Sequence, residues 1–309
     1  MVQRILLGPQ KPTSNLREAA DAIATDGPVV VITAGWRDSE GEIEELRDEL
    51  GRPVEDLMIY HRAEEIFARE PALRDLKRER QDKLKELQDL YRIRLGPTLS
   101  AARKLLRAEA QPELLKLEQR AAIAQVRALD RHHLRRIQSI HREFDLRRAE
   151  LDLSAATAER EAVQRRVAGA GLVLIAGGHV AVLLNRMRLF RLGEELAKRP
   201  LIAWSAGAMA LTERVVLFHH HAPQGRRDSE LLDAGLGIVP RLILLPHART
   251  RLDWRNRRRM SLFSRRFAPA ACCTLDNGSL LHFEDARLLD ARGSSVVSRT
   301  GRRRAMTPS

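Results

Sequence analysis

Three stretches of this 309-residue sequence carry side chains that could do covalent chemistry together. The first is Leu201-Ile202-Ala203-Trp204-Ser205-Ala206-Gly207-Ala208. Its apolar start predicts a buried strand ending at Trp204, and its small residues predict a sharp turn into a helix from about Ala206. Such a turn pushes a serine hydroxyl out of the end of a sheet, and small neighbours let other backbone pass close. The pattern matches the G-x-S-x-G elbow with Ala203 in the first place. An ordinary strand–helix junction with Ser205 as N-cap accounts for the same residues equally well. The second stretch ends at His247, just past the apolar run 241–245, where a neutral imidazole could take the serine proton. The third is Gly177-Gly178, directly after the apolar run 172–176. Glycines there let backbone N–H groups approach a developing oxyanion, alongside the N–H of Ala206 at the helix start.

An acid to orient His247 is less well marked. Asp276 follows the predicted strand 271–275, and it fits an Asx turn as well. Glu213, near the elbow helix, is the weaker choice. Arg249, Arg251 and Arg255 could hold a substrate carboxylate in bidentate fashion. Their spacings of two and four do not place all three on one helical face, so a solvated face accounts for them equally.

These side chains need a sheet edge to meet. Residues 1–61 read as alternating strands and helices: strands at 5–7, 28–33 and 56–60, helices at 16–25 and 38–50. The rhythm returns after residue 168, with strands at 172–176, 201–204, 215–218 and 241–245. That alternation predicts a doubly wound, mostly parallel α/β sheet, whose strand ends share one crevice. Asp276-Asn277-Gly278-Ser279, between apolar runs 271–275 and 280–283, predicts a hairpin turn. The last twenty residues read as edge strands and a basic tail.

Between these halves, residues 62–166 change character. They hold one glycine, Gly96, with 25 Lys/Arg against 18 Asp/Glu. Leu73, Leu76, Leu84, Leu87 and Tyr91, then Ile137, Ile140, Phe144 and Leu151, recur at helical spacing. We expect two or three long helices forming an inserted hairpin or coiled-coil arm, broken at Gly96-Pro97 and Gln111-Pro112, with Arg80 interrupting its stripe. Such an arm is hard to bury against one small domain, so a second copy or a protein partner is expected on it. His132, His133 and His141 are expected to be solvated helix residues rather than metal ligands.

Composition bounds the rest. Apolar residues make up 44% and charged residues 31%, as in a folded protein with a highly charged portion. No apolar run reaches the roughly 18 residues that suggest a membrane span, so no membrane partner is expected. The N-terminal apolar run is too short for a signal peptide. Cys272 and Cys273 are the only cysteines and are adjacent, which argues against a disulfide framework and for the cytoplasm. The net charge of +13 includes eight arginines and one acid between Arg249 and Arg266. Basic patches can hold phosphates, but aromatic content of 4% leaves little for base stacking, and a nucleic-acid partner is not the expectation. The tract His219-His220-His221 would splay to opposite faces of a strand, so no metal site is expected there.

In combination, the segments TAGW, IAGGH with LLNRMRLF, AWSAGAMAL, LPHARTRLDWRNRRRM and LDNGSLLHF resemble the cyanophycinase and dipeptidase E family of serine peptidases. The resemblance spans about 1–61 and 167–309 and leaves 62–166 outside as an insertion. It implies a class I glutamine-amidotransferase-like fold and no cofactor. It further implies a nucleophile at Ser205, a base at His247, oxyanion support from Gly177, Gly178 and Ala206, and an acid at Asp276 or Asn277. Substrate contacts would fall at His179, Arg249, Arg251 and Arg255. The activity implied is hydrolysis of a small peptide or amide beside an acidic residue, through an acyl-enzyme. The alternative is a ligand- or partner-binding module of the same fold without catalysis.

Overall fold

The computed structural model describes residues 1–23, 26–218 and 228–308; the histidine tract lies outside them. Along the chain run β1 (Gln3–Leu7), α1 (Leu16–Ala22), β2 (Val29–Ile32), a 3-10 segment (Ala34–Ser39), α2 (Glu44–Leu50) and β3 (Val54–Asp56). Four helices follow: α3 (Ile59–Arg69), α4 (Pro71–Leu105), α5 (Pro112–Ala149) and α6 (Ser154–Gly169). Then come β4 (Leu172–Ile175), α7 (Val180–Leu189), α8 (Gly193–Ala197), β5 (Leu201–Trp204), α9 (Ala206–Leu211), β6 (Arg214–Leu217) and β7 (Glu230–Ala234). The chain closes with β8 (Leu242–Pro246), α10 (Ala248–Arg251), α11 (Arg257–Phe267), β9 (Ala271–Leu275), β10 (Leu280–Glu284), β11 (Arg287–Arg292), β12 (Ser295–Val297) and β13 (Arg303–Ala305).

The architecture is mixed α/β. A seven-stranded sheet runs in the order β11-β10-β1-β5-β4-β2-β3. Its members from β1 to β3 pair in parallel, while β10 and β11 are antiparallel. β2, β4 and β5 are buried at every residue, as expected of strands covered by helices on both faces. A separate four-stranded sheet, β13-β12-β9-β8, has β8 and β9 in parallel.

Several local expectations are corrected. The segment 271–283 is not a hairpin: β9 belongs to the small sheet and β10 to the large one. Residues 276–279 still turn sharply, with Gly278 at φ 77° and Ser279 N–H donating to the Asp276 carbonyl at 2.9 Å. The turn therefore carries the chain between sheets. The predicted strand at 56–60 ends at Asp56 instead. Its carboxylate accepts the Thr33 hydroxyl and the Met58 N–H, and Glu40 caps the Tyr60 and His61 N–H groups to start α3. The predicted helix at 38–50 shrinks to α2, closed by Gly51 in the left-handed conformation. Pro97 lies inside a continuous α4. Leu95 and Leu99 on either side of it are buried, so tertiary packing overrides the local break.

α4 and α5 run antiparallel: Gln88 meets His133 and Glu79 meets Arg147. They lie against α3, α11 and β7, with Leu73, Leu76, Tyr91, Ile137 and Phe144 buried, while Leu90, Ile93, Leu114, Leu117 and Leu146 stay exposed. Arg80 is buried, 4.0 Å from the Phe144 ring centroid, and donates to Asn185. The histidines also depart from expectation. His133 is buried, stacked 3.9 Å from Tyr91 and bonded to Gln88, and His141 is bonded to Asp233. Only His132 of the three is exposed. Among the described residues no group of His, Cys, Asp or Glu could hold a metal ion, and no helix is long and apolar enough to cross a membrane.

Candidate active site

The elements of the large sheet deliver their following loops to one edge. Ser205 follows β5 with φ 52° and ψ −115°, outside the regions that a serine ordinarily occupies. Two backbone bonds hold it there: its N–H donates to the Leu7 carbonyl at 3.0 Å, and its carbonyl accepts from Met209 at 3.1 Å. Gly207 permits the tight start of α9, since a Cβ there would lie 2.3 Å from the Ile175 carbonyl oxygen. Alanine at 207 should therefore displace α9 from β4 and destabilise the fold by about 1–3 kcal/mol. A denaturant midpoint unchanged in Gly207→Ala would show that the turn has slack.

The loop after β4 seats beside the serine. Gly177 lies against it, with a hypothetical Cβ 3.2 Å from Ser205 Cβ. Gly178 has φ 105° and packs on Gly35 so closely that a side chain would strike the Gly35 carbonyl oxygen. His179 N–H donates to that same oxygen at 2.8 Å, locking the loops after β2 and β4 together.

His247 comes from the other sheet. It follows β8 in the left-handed conformation (φ 58°, ψ 34°), and its N–H donates to the Leu275 carbonyl at the end of β9. Burial and the neighbouring Arg251 push its pKa down, against the opposing pull of Asp276. Asp276 is buried and accepts the Arg249 N–H at 2.8 Å, with the Arg249 Nε 3.7 Å away. Among the described residues, neither Ser205 nor Asp276 is hydrogen-bonded to the His247 ring. Asn277, the other acid-position residue, donates its amide to the Pro9 and Thr13 carbonyls and so braces the loop after β1.

Ser205, His247, Gly177 and Gly178 line one open cleft of about 760 Å³. Its far wall is one that sequence reasoning missed. Trp36 and Trp204 contribute rings, and Glu42, Glu44, Glu45 and Glu49 line the α2 side, with Lys11 paired to Glu45 at 3.0 Å. The glutamates could have been suspected, because α2 follows the loop at the carboxyl end of β2. A second, smaller pocket of about 90 Å³ opens on the other side of Ser205, lined by Ala206, Met209, Phe218 and Arg251 among others.

A family model for peptidase family S51 matches residues 122–290, more than half of the chain. The chain belongs to peptidase family S51. This is the family that the sequence motifs resemble, and the matched region contains both Ser205 and His247. It begins within α5, inside the segment that composition sets apart, and ends in β11. A solved structure described as a peptidase from an acI-B1 Actinobacterium is similar at 14% identity and a TM-score of 0.49, covering 99% of this chain and 94% of that one. Among curated proteins no relative matches the sequence.

The remaining expected site residues of this S51 chain are dispersed. Arg251 reaches the pocket beside Ser205, whereas Arg249 lies against Asp276 and Arg255 is exposed outside both pockets. His179 caps α7, its Nδ1 accepting from the Val182 N–H at 3.3 Å, and lines neither pocket. Burial and Arg37 lower its pKa.

Proposed function

We propose that this S51 chain is a serine hydrolase that cleaves a small peptide or amide through an acyl-enzyme. The observation carrying this reading is the serine held at a strained strand–helix turn on a cleft that it shares with His247. Ser205 Oγ bonds to the substrate carbonyl carbon as its proton passes to His247. The oxyanion is received by backbone N–H groups at Gly178 and Ala206, with Gly177 leaving the space open. The C–N bond then breaks, His247 returns the proton to the leaving amine, and water releases the acid from the ester by the same route. Asp276 acts on His247 through its charge. The free site has no bond from the His247 ring to Ser205 among the described residues, and that bond forms when substrate fills the cleft.

The two sides of Ser205 differ in sign. Arg251 favours a carboxylate on one side, and the four glutamates favour an ammonium or guanidinium on the other. A short peptide with an acidic residue at the cleaved bond and a cationic end fits both. An assay of dipeptides varied at each position, with Ser205→Ala as control, tests this. Turnover of acidic–basic peptides above neutral ones supports the reading. Absence of turnover with any peptide or amide from folded protein would favour the binding module instead.

His247 must be neutral to accept the proton. Its lowered pKa places the acid limb of kcat/KM below the ordinary histidine value of about 6.5. Arg251→Ala removes a cation and should move the limb toward higher pH. Asp276→Asn removes an anion and should move it lower. A pH profile unaffected by both substitutions would remove His247 from the role of base.

A further inference from the structure

We propose that the cavity between the end of α4 and the start of α11 binds a small phosphate-class oxyanion. The cavity measures about 190 Å³ and is lined by Arg103 of α4, by Leu106 and Arg107 just after that helix, and by Asn256, Arg258 and Arg259 from α11 and its cap. It shares no lining residue with the catalytic cleft.

Four arginines and no acidic residue line this one cavity. Like charges so placed repel one another, and an anion among them relieves that cost. Asp228 lies beside the cavity and answers part of the charge, pairing with Arg103 and lying 3.7 Å from Arg259. Arg107 and Arg258 are exposed, and among the described residues neither has an ion pair.

Backbone dipoles divide between the two helices. The start of α11 has no acidic residue in its first turn and adds partial positive charge, with Asn256 satisfying the Arg259 N–H. The carbonyl end of α4 opposes this, and Arg103 and Lys104 in its last turn offset it.

The geometry favours a tetrahedral oxyanion over a carboxylate. Arginines line it on both sides, and a phosphate group offers oxygens in each direction, whereas one carboxylate answers one guanidinium fork. The cavity is compact rather than an extended stripe, and its one apolar side chain is Leu106, so no ring is present on which a base could stack. An anion held there bridges α4 to α11 and so ties the helical hairpin to the body of the molecule.

The test is calorimetric titration with pyrophosphate and with inorganic phosphate, alongside thermal melting in each salt and in sodium chloride at matched ionic strength. The full chain is compared with Arg107→Ala/Arg258→Ala. Both side chains are exposed and removing them relieves repulsion, so the basal melting temperature should be no lower than that of the wild type. The expected result is saturable binding and a rise in melting temperature beyond that in chloride, with affinity falling roughly tenfold or more in the double variant. Three results would each overturn the proposal: no saturable heat, a chloride effect equal to that of phosphate, or equal affinity in the double variant. Preferential, steeply salt-dependent binding of a short oligonucleotide would also overturn it in favour of a nucleic-acid surface.

Discussion

Ser205→Ala should lower hydrolysis by about 10⁴- to 10⁶-fold in kcat, the range seen when a serine nucleophile acting with its base is removed. The loss should be chemical rather than structural. Ser205 is held by its backbone N–H and carbonyl, which alanine retains, and no hydrogen bond of its hydroxyl to another described residue is present. The melting temperature should therefore stay close to that of the wild type. A fluorophosphonate probe gives a second readout that needs no knowledge of substrate. Wild type should label, Ser205→Ala should not, and His247→Ala should label slowly. Labelling that persists in Ser205→Ala would place the reactive hydroxyl elsewhere. Folded wild type that fails to label would show that the strained turn presents an unactivated serine.

The second large effect is on stability, far from the cleft. Asp130 of α5 takes Arg266 of α11 in a two-point contact at 2.7 and 2.8 Å, with both side chains almost completely buried. Arg266 also donates to the Ser229 carbonyl and the Tyr91 hydroxyl, and Tyr91 donates to Asp130. Burial alone would lower the arginine pKa, yet the adjoining carboxylate keeps it above its ordinary value. Asp130→Ala strands that cation, and a loss of about 3–5 kcal/mol is expected by denaturant unfolding. Asp130→Leu combined with Arg266→Met removes both charges and should cost distinctly less. Equal losses from the single and double changes would mean that packing, not the stranded charge, sets the cost.

The parallel sheet and the elbow were legible because their signals are local. Apolar runs mark 29–32, β-branched throughout, and 172–175, and small residues follow Ser205. Partnership across the chain was not. Asn277-Gly278 correctly marks a turn, but no local pattern says that the strands on either side join different sheets. Arg80 reads as a break in an apolar stripe because its partners, Phe144 and Asn185, are distant in sequence. His133 reads as solvated for the same reason, its ring being covered by Tyr91 from the facing helix. In the cleft, Ser205, His247 and the Gly-Gly pair lie at predicted strand ends, while the four glutamates fall in a segment read only as the helix 38–50. Their meaning depends on which way α2 faces.

The position of β1 bears on how the protein is made. It is an interior strand, paired on one side with β5 and on the other with β10. Emerging from the ribosome before both of its partners, it has neither neighbour until residues 201–204 and then 280–284 have followed. At ordinary synthesis rates that interval is on the order of tens of seconds. Throughout it, a short apolar strand with two open edges needs shielding, since such edges invite pairing with other chains. The Leu7 carbonyl that fixes Ser205 belongs to this strand. The turn at Ser205 is thus set only when this early strand meets much later parts of the chain, so the nascent protein lacks that backbone geometry until the sheet closes.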